Sequence, residues 1–170
     1  REDEGGGTGL PRTKLARQVS GIDLAPTVLD AVGLDPLPDV DGHSFVPALR
    51  GKLQPEFNHV ITQINRTAGK REFPMRSILD KRFGYIFNAW SNGKTIFRNE
   101  SQNGLTMRAM RRAAKTNPKI ASRVKLFLSR TPEELYDYQQ DPDAQHNLVN
   151  DPRYHKVLVA LRTRMLDHMK

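Results

Sequence analysis

Few side chains in this sequence are spaced for catalysis. The five histidines, His43, His59, His146, His155 and His168, are scattered. None belongs to an H-E-x-x-H pair, which would set two imidazoles and a general base on one helical face. There is no cysteine, which removes disulfides, thiolate metal sites and a cysteine nucleophile from the chemistry of this chain. No P-loop, G-x-G-x-x-G or G-x-S-x-G is present. Asp39 and Asp41 could hold a cation, but with Pro36, Pro38 and Gly42 around them they read more simply as a turn. Asn65-Arg66-Thr67 and Asn99-Glu100-Ser101 match glycosylation sequons, a tripeptide pattern too common to carry weight alone.

The clearest chemical signal is electrostatic. Lys and Arg number 27 against 19 Asp and Glu, a net charge of +8. Residues 101–130 contain no acid yet carry Arg108, Arg111, Arg112, Lys115, Lys119, Arg123, Lys125 and Arg130, eight cations that equal the whole excess. Such a block attracts a polyanion: nucleic acid, anionic lipid or sulfated polysaccharide. It reads equally as a solvated helical face, or as a surface complementary to an acidic part of the same protein. Neither an RRM-type strand nor a Cys/His finger accompanies it.

The elements that would position these groups form an α+β pattern. With 170 residues, 37% of them hydrophobic, the chain can build one compact domain or part of a larger one. No apolar run approaches the ~18 residues of a membrane span. The first residue is Arg1 rather than Met, so part of a longer or processed protein is expected, and the lack of a visible signal peptide is uninformative.

Residues 1–18 are Gly-rich and charged and read as a loose lead-in. Asp23 as N-cap and Pro26 in the first turn predict a helix over 23–33. It carries Leu24, Val28, Leu29 and Val32 on one face and ends at Gly33. A loop follows, then a short helical turn over 44–49 capped by Ser44. Runs at 60–64 and 75–79 read as strands, as does the alternating 83–90. Residues 94–97 are expected to pair with 83–90 across Asn92-Gly93, a type I′ hairpin signal. Helices are expected over 105–115 and onward from Asn117-Pro118, the latter with Ile120, Val124, Phe127 and Leu128 on one face. Thr131 to Glu134 match a capping box, but 135–138 reads better as a strand. A final helix starts at Asp151-Pro152 and carries Tyr154, Val157, Leu158, Leu161 and Met165. This predicts an α+β domain with one basic block and no self-contained catalytic set.

Three blocks of residues add a family resemblance. Ser20-Gly21-Ile22-Asp23-Leu24-Ala25-Pro26-Thr27, followed by Gly33, resembles the S-x-x-D-x-x-P-T helix of type I sulfatases, which belong to the alkaline-phosphatase-like superfamily. Asp41-Gly42-His43-Ser44 with Leu49-Arg50-Gly51 is similar to the D-G-x-S…L-x-G turn that comes next in that family. Glu134-Leu135-Tyr136-Asp137, Asp141-Pro142, Asn147-Leu148 and Asp151-Pro152 resemble its closing E-L-Y-D-x-x-x-D-P-x-E-x-x-N-L signature. Phe73-Pro74-Met75-Arg76-Ser77 resembles the Y-P-M-R-S segment of heparan N-sulfatase (sulfamidase) and its bacterial relatives. The pattern departs at Ala144, where the signature has its second acid, and at Gly84, where an R-x-K-Y-I strand has Lys. In place of a His-bearing segment before P-M-R stands Asn65-Arg66-Thr67.

The resemblance implies the C-terminal portion of a hydrolase of sulfate esters or N-sulfates on sugars. Residues 1–18 would be the lead-in, 19–52 the end of the catalytic α/β domain, and 53–170 a C-terminal subdomain docked on it, with the resemblance implying an α+β fold of a small antiparallel sheet with packed helices. The family's formylglycine, made from C/S-x-P-x-R, and its calcium are expected in an N-terminal part, because no Ser here begins that motif. This chain alone is expected to be inactive, with no catalytic and no metal residues of its own. Asn65, Arg66 and Arg76 are the expected substrate-cleft residues, and Arg108, Arg111, Arg112 and Lys115 the polyanion patch. The implied partners are a sulfated carbohydrate and the catalytic domain, with neither membrane nor nucleic acid expected. The implied location is periplasmic or extracellular. The alternative from a different class is a non-catalytic basic α+β module that binds a polyanion such as nucleic acid.

Overall fold

The computed structural model describes residues 18–52, 54–67 and 70–169. The chain divides into two units, one ending at Asn58 and the other starting at His59. All of the expected lead-in except Gln18 lies outside the described residues.

One buried carboxylate organises the first unit, which holds α1 (Leu24–Ala31) and α2 (Val46–Leu49). Asp23 is only 6% exposed. Its Oδ2 accepts from the Ser20 amide at 2.6 Å and its Oδ1 from the His43 amide at 3.0 Å. Thr27 ties the same segments again, donating its hydroxyl to the Asp23 carbonyl at 2.6 Å and accepting from the Phe45 amide at 3.1 Å. Gly42 runs so close to the Ile22 carbonyl that any Cβ there would collide with it. The S-x-x-D-x-x-P-T and D-G-x-S patterns are therefore two halves of one clamp. Ser44 is not the cap of the short turn, whose N-cap is Phe45; one residue earlier, its Oγ accepts from the Val46 amide at 3.2 Å and donates to Asp30.

Two expectations about α1 are corrected. Asp23 makes no side-chain cap to its own helix, because both its oxygens serve Ser20 and His43. The clamp also turns Pro26 and Thr27 inward, so the apolar face points out, with Leu24, Val28 and Val32 at 60%, 52% and 64% exposure. Val19, Ile22, Leu34, Leu37, Val40 and Leu49 are exposed as well.

The second unit is a four-stranded antiparallel sheet in sequential order: β1 (His59–Arg66), β2 (Glu72–Asp80), β3 (Phe83–Asn88) and β4 (Glu133–Asp137). Strand alternation gives it two packing faces. One bears Ile78, Tyr85 and Leu135, which meet Leu158, Leu161 and Met165 of α5 (His155–His168) in the main core. Arg162 of α5 holds the Glu133 carboxylate at 2.8 and 2.9 Å. The Tyr85 hydroxyl donates to the same carboxylate. Burial first, and that hydrogen bond second, push the Tyr85 phenol up to about 12.

The opposite face is covered by α3 (Leu105–Ala113) and α4 (Pro118–Leu128). Phe73, Trp90 and Phe97 form an aromatic cluster there, with Phe127 of α4 packed against it. Asn117 caps α4 as expected, accepting from the Lys119 and Ile120 amides at 3.0 and 3.3 Å, with Pro118 in the first turn.

The Asn92-Gly93 hairpin does not form. Strand β3 ends at Asn88 and residues 94–97 make no strand. Both edges of β3 are already taken by β2 and β4, so no edge is free for a returning strand. Asn92 Oδ1 instead accepts from the Lys94 and Thr95 amides at 3.0 and 2.8 Å, an Asx turn. Phe97 leaves the sheet and stacks on Trp90, with ring centroids 5.5 Å apart. Strand β4 opens two residues earlier than read, at Glu133. Its two glutamates are drawn to Arg162 and Arg130, so neither is left for a capping box.

Candidate substrate-binding surface

The three expected cleft residues all lie on the β1–β2 hairpin, Asn65 and Arg66 at the end of β1 and Arg76 in the middle of β2. Asn65 and Arg66 are exposed at the end of β1, where the register shifts between Ile64 and Arg66. Arg76 of β2 pairs opposite Gln63, is half-buried, and donates from Nη1 to the Met75 carbonyl at 2.9 Å. Arg66 is engaged by Glu72 at 2.8 Å, but both side chains are about two-thirds exposed, at 67% and 70%. A pair so open to water is worth little and can exchange for another anion. No ion pair of Arg76 occurs among the described residues.

The register also brings in Thr62 and Gln63, which no motif marked, beside Ser77 of the P-M-R-S segment. Gln63, Thr62 and Ser77 line a recess of about 200 Å³ with Arg76 and Arg130. The Thr62 and Ser77 hydroxyls lie 2.6 Å apart. Two guanidinium groups beside an amide and two hydroxyls suit an oxyanion and a sugar. Only the pairing of the two strands, Gln63 opposite Arg76 and Thr62 opposite Ser77, could have flagged Thr62 and Gln63.

The basic block divides into two populations. Arg123 donates to the carbonyls of Ala144 and Asp143 at 2.7 and 2.9 Å. Arg130 binds the Glu134 carboxylate with two hydrogen bonds. Both are scaffold. Arg108, Arg111, Arg112 and Lys115 are exposed, and among the described residues none has an ion-pair partner. They lie on a different element from the hairpin, so the structure presents two cationic surfaces. Between α3, α4 and the sheet lies a mostly apolar cavity of about 400 Å³, lined by Met107, Met110, Phe127, Tyr136 and Tyr138 among others. Burial raises the Tyr138 phenol above its ordinary range.

The closing signature builds β4 and its surroundings. Glu134 is fully buried and also accepts from Asn88 and from the Tyr136 hydroxyl, each at 2.8 Å. Asp137 is gripped by Arg82 from Nε and Nη2, at 2.7 Å in the shortest contact, which holds its carboxyl below the usual range. Asp141 accepts from the His146 amide at 2.7 Å. Asn147 serves the outer edge of β4, accepting from the Leu135 amide at 2.9 Å and donating to the Glu133 carbonyl at 3.1 Å. That covers an edge otherwise open to strand pairing. The departure at Gly84 has a steric reason, because a Cβ there would sit 2.5 Å from the ring of Tyr138. Ala144 adopts a left-handed backbone, φ 49°, and its carbonyl receives Arg123.

Among the described residues, no group of three or more His, Asp or Glu side chains converges to hold a metal ion.

No family model matches the chain. Two ulvan-active sulfatases of Formosa agariphila are 34% and 28% identical over 150 and 149 residues. The alignments cover 87% and 86% of this chain but 28% and 24% of those proteins, so the chain spans about a quarter of their length. A solved 2-O GAG sulfatase superposes with a TM-score of 0.56 at 24% identity, over 86% of this chain and 24% of that one. The shared fold is a mixed helix and strand arrangement around a small antiparallel four-stranded sheet, matching about a quarter of the solved sulfatase chain. The chain is homologous to sulfatases and matches the C-terminal part of the sulfatase fold. A free-standing basic module is not favoured.

Proposed function

We propose that this chain acts as the C-terminal part of a sulfatase for sulfated sugars, building scaffold and one lip of the substrate cleft. The observation that carries this reading is the 34% identity to an ulvan-active sulfatase over 87% of the chain. The exposed apolar side of α1 supports it, since a surface bearing Leu24, Val28 and Val32 suits a neighbouring domain better than water. So does the β1–β2 hairpin, which carries Asn65 and Arg66 at the end of β1 and Arg76 with Gln63 and Ser77 along its middle. In this reading Arg76 donates to sulfate or carboxylate oxygens of the sugar, and Arg66 exchanges Glu72 for them. Formylglycine and calcium would come from sequence outside this chain. When present, the hydrate of the formylglycine aldehyde would supply the nucleophilic hydroxyl, and this chain's part is to bind and orient the sugar.

The test is sulfate release by the full protein from sulfated oligosaccharides of the ulvan kind. Arg76→Gln is expected to raise KM about ten-fold or more with little change in Tm, in keeping with a lost charge-assisted contact. Sulfate release by the 170-residue chain on its own would overturn the assignment of the reactive groups to another part.

A further inference from the structure

The face of α3 turned to solvent is built in an unusual way. Arg108, Arg111 and Arg112 recur at i, i+3 and i+4 on α3, which puts them on a single stripe about 100° wide, and Lys115 follows in the turn after the helix. The opposite side of the helix is anchored by Met107, 5% exposed, and by Met110 in the wall of the apolar cavity. Like charges at i, i+3 and i+4 repel and weaken a helix. An ordinary solvated face relieves this with interleaved acids, yet residues 101–130 contain none. Leu105, 82% exposed, lies at the head of the same stripe.

We propose that this stripe is a binding surface for the chain of a sulfated polysaccharide. The choice of polymer rests on the sulfatase reading above; the existence of an anion-binding stripe does not. Arg108, Arg111 and Arg112 with Lys115 just beyond the helix offer several exposed cations side by side, enough to meet more than one anionic group of a polymer. Guanidinium groups present paired donors that match two oxygens of a sulfate. Residues 105–116 contain no aromatic side chain, so the stacking platform of single-stranded nucleic-acid binding is missing. Arg123 and Arg130 take no part, because the fold already uses them.

The experiment uses the full protein, with heparin and ulvan as probes and duplex DNA as comparator. In R108Q/R111Q/R112Q, retention on both sulfated polymers should weaken. The slope of log affinity against log salt should become shallower by about two to three, by analogy with counterion release from DNA. KM should rise several-fold for the polymer and stay unchanged for a small aryl sulfate. R108K/R111K/R112K should keep the slope while losing affinity. In the unmutated protein, bound polymer should shield Arg108, Arg111 and Arg112 from phenylglyoxal, a readout that needs no variant. Unchanged polymer binding in the Gln variant, or unshielded arginines, would overturn the proposal. Tighter binding of duplex DNA than of either sulfated polymer at equal salt would overturn the choice of partner. If polymer binding depends on the stripe but the full protein releases no sulfate from any substrate, the stripe stands and the sulfatase reading falls.

Discussion

Arg130 grips the buried carboxylate of Glu134 with two hydrogen bonds, Nε to Oε1 at 2.8 Å and Nη2 to Oε2 at 2.6 Å. The last cation of the basic block is thus part of the sheet's support, although its guanidinium also borders the recess beside Arg76. Removing Arg130 leaves an unmatched charge inside the protein. Arg130→Met should therefore cost about 3–5 kcal/mol, and Arg130→Met with Glu134→Gln clearly less than that. Urea unfolding of both variants checks the order. A double variant less stable than the single would contradict it.

Acid should weaken the sheet partly through Asp137. Its folded pKa is lowered, chiefly by the hydrogen bonds from Arg82. The stability it contributes is complete above the unfolded value of about 3.9 and is lost as pH falls through the lower folded value. Arg82→Leu should lower stability near neutrality. It should also flatten the decline of unfolding free energy below about pH 5, since the native and unfolded carboxyls then take up protons together. Unfolding free energies measured in pH steps would show this, and an unaltered slope would assign the acid sensitivity to other carboxylates.

The Asp23 clamp makes a prediction that is local in space. Asp23→Ala leaves the Ser20 and His43 amides without their acceptor, at a cost of about 1–3 kcal/mol. Hydrogen exchange at those two amides should accelerate while the amides of β2 and β3 are unaffected. Gly42→Ala should open the same segment by collision with Ile22. Acceleration spread evenly over both units would argue against a clamp confined to the first.

The outward face of α1 should behave oppositely in two settings. Leu24→Ser, Val28→Ser and Val32→Ser together should raise the solubility of the 170-residue chain by removing exposed apolar surface. In the full protein the same changes should reduce the yield of folded enzyme, because the proposed neighbouring domain loses the surface it covers. Sedimentation and thermal unfolding read the two effects. Equal yields of variant and unmodified full protein would mean that nothing packs on this face.

Much of the architecture was legible in local pattern. The Asn117-Pro118 start of α4, the strands around Met75 and Tyr85, and the core positions Leu158, Leu161 and Met165 of α5 all stand as read. Each depends on interactions within a few residues or on a repeating apolar period, and a sequence displays both. The motif residues Asp23, Gly42, Glu134, Asp137 and Asn147 were visible as motifs, but their spacing did not show what they hold.

Tertiary structure decided the rest, because the deciding partners are remote in sequence. Asn92-Gly93 is a good hairpin turn by itself, yet β4 arrives from more than 40 residues downstream to occupy the edge a hairpin would need. The apolar side of α1 looked like a core face, and the bond between Asp23 and His43, separated by 20 positions, turned it outward. Composition established an acid-free block of eight cations. Which of them stay free for a ligand was settled by distant acceptors, Glu134 for Arg130 and the carbonyls of Asp143 and Ala144 for Arg123. A charge is encoded by its own residue, whereas its availability depends on what the fold brings within hydrogen-bonding reach.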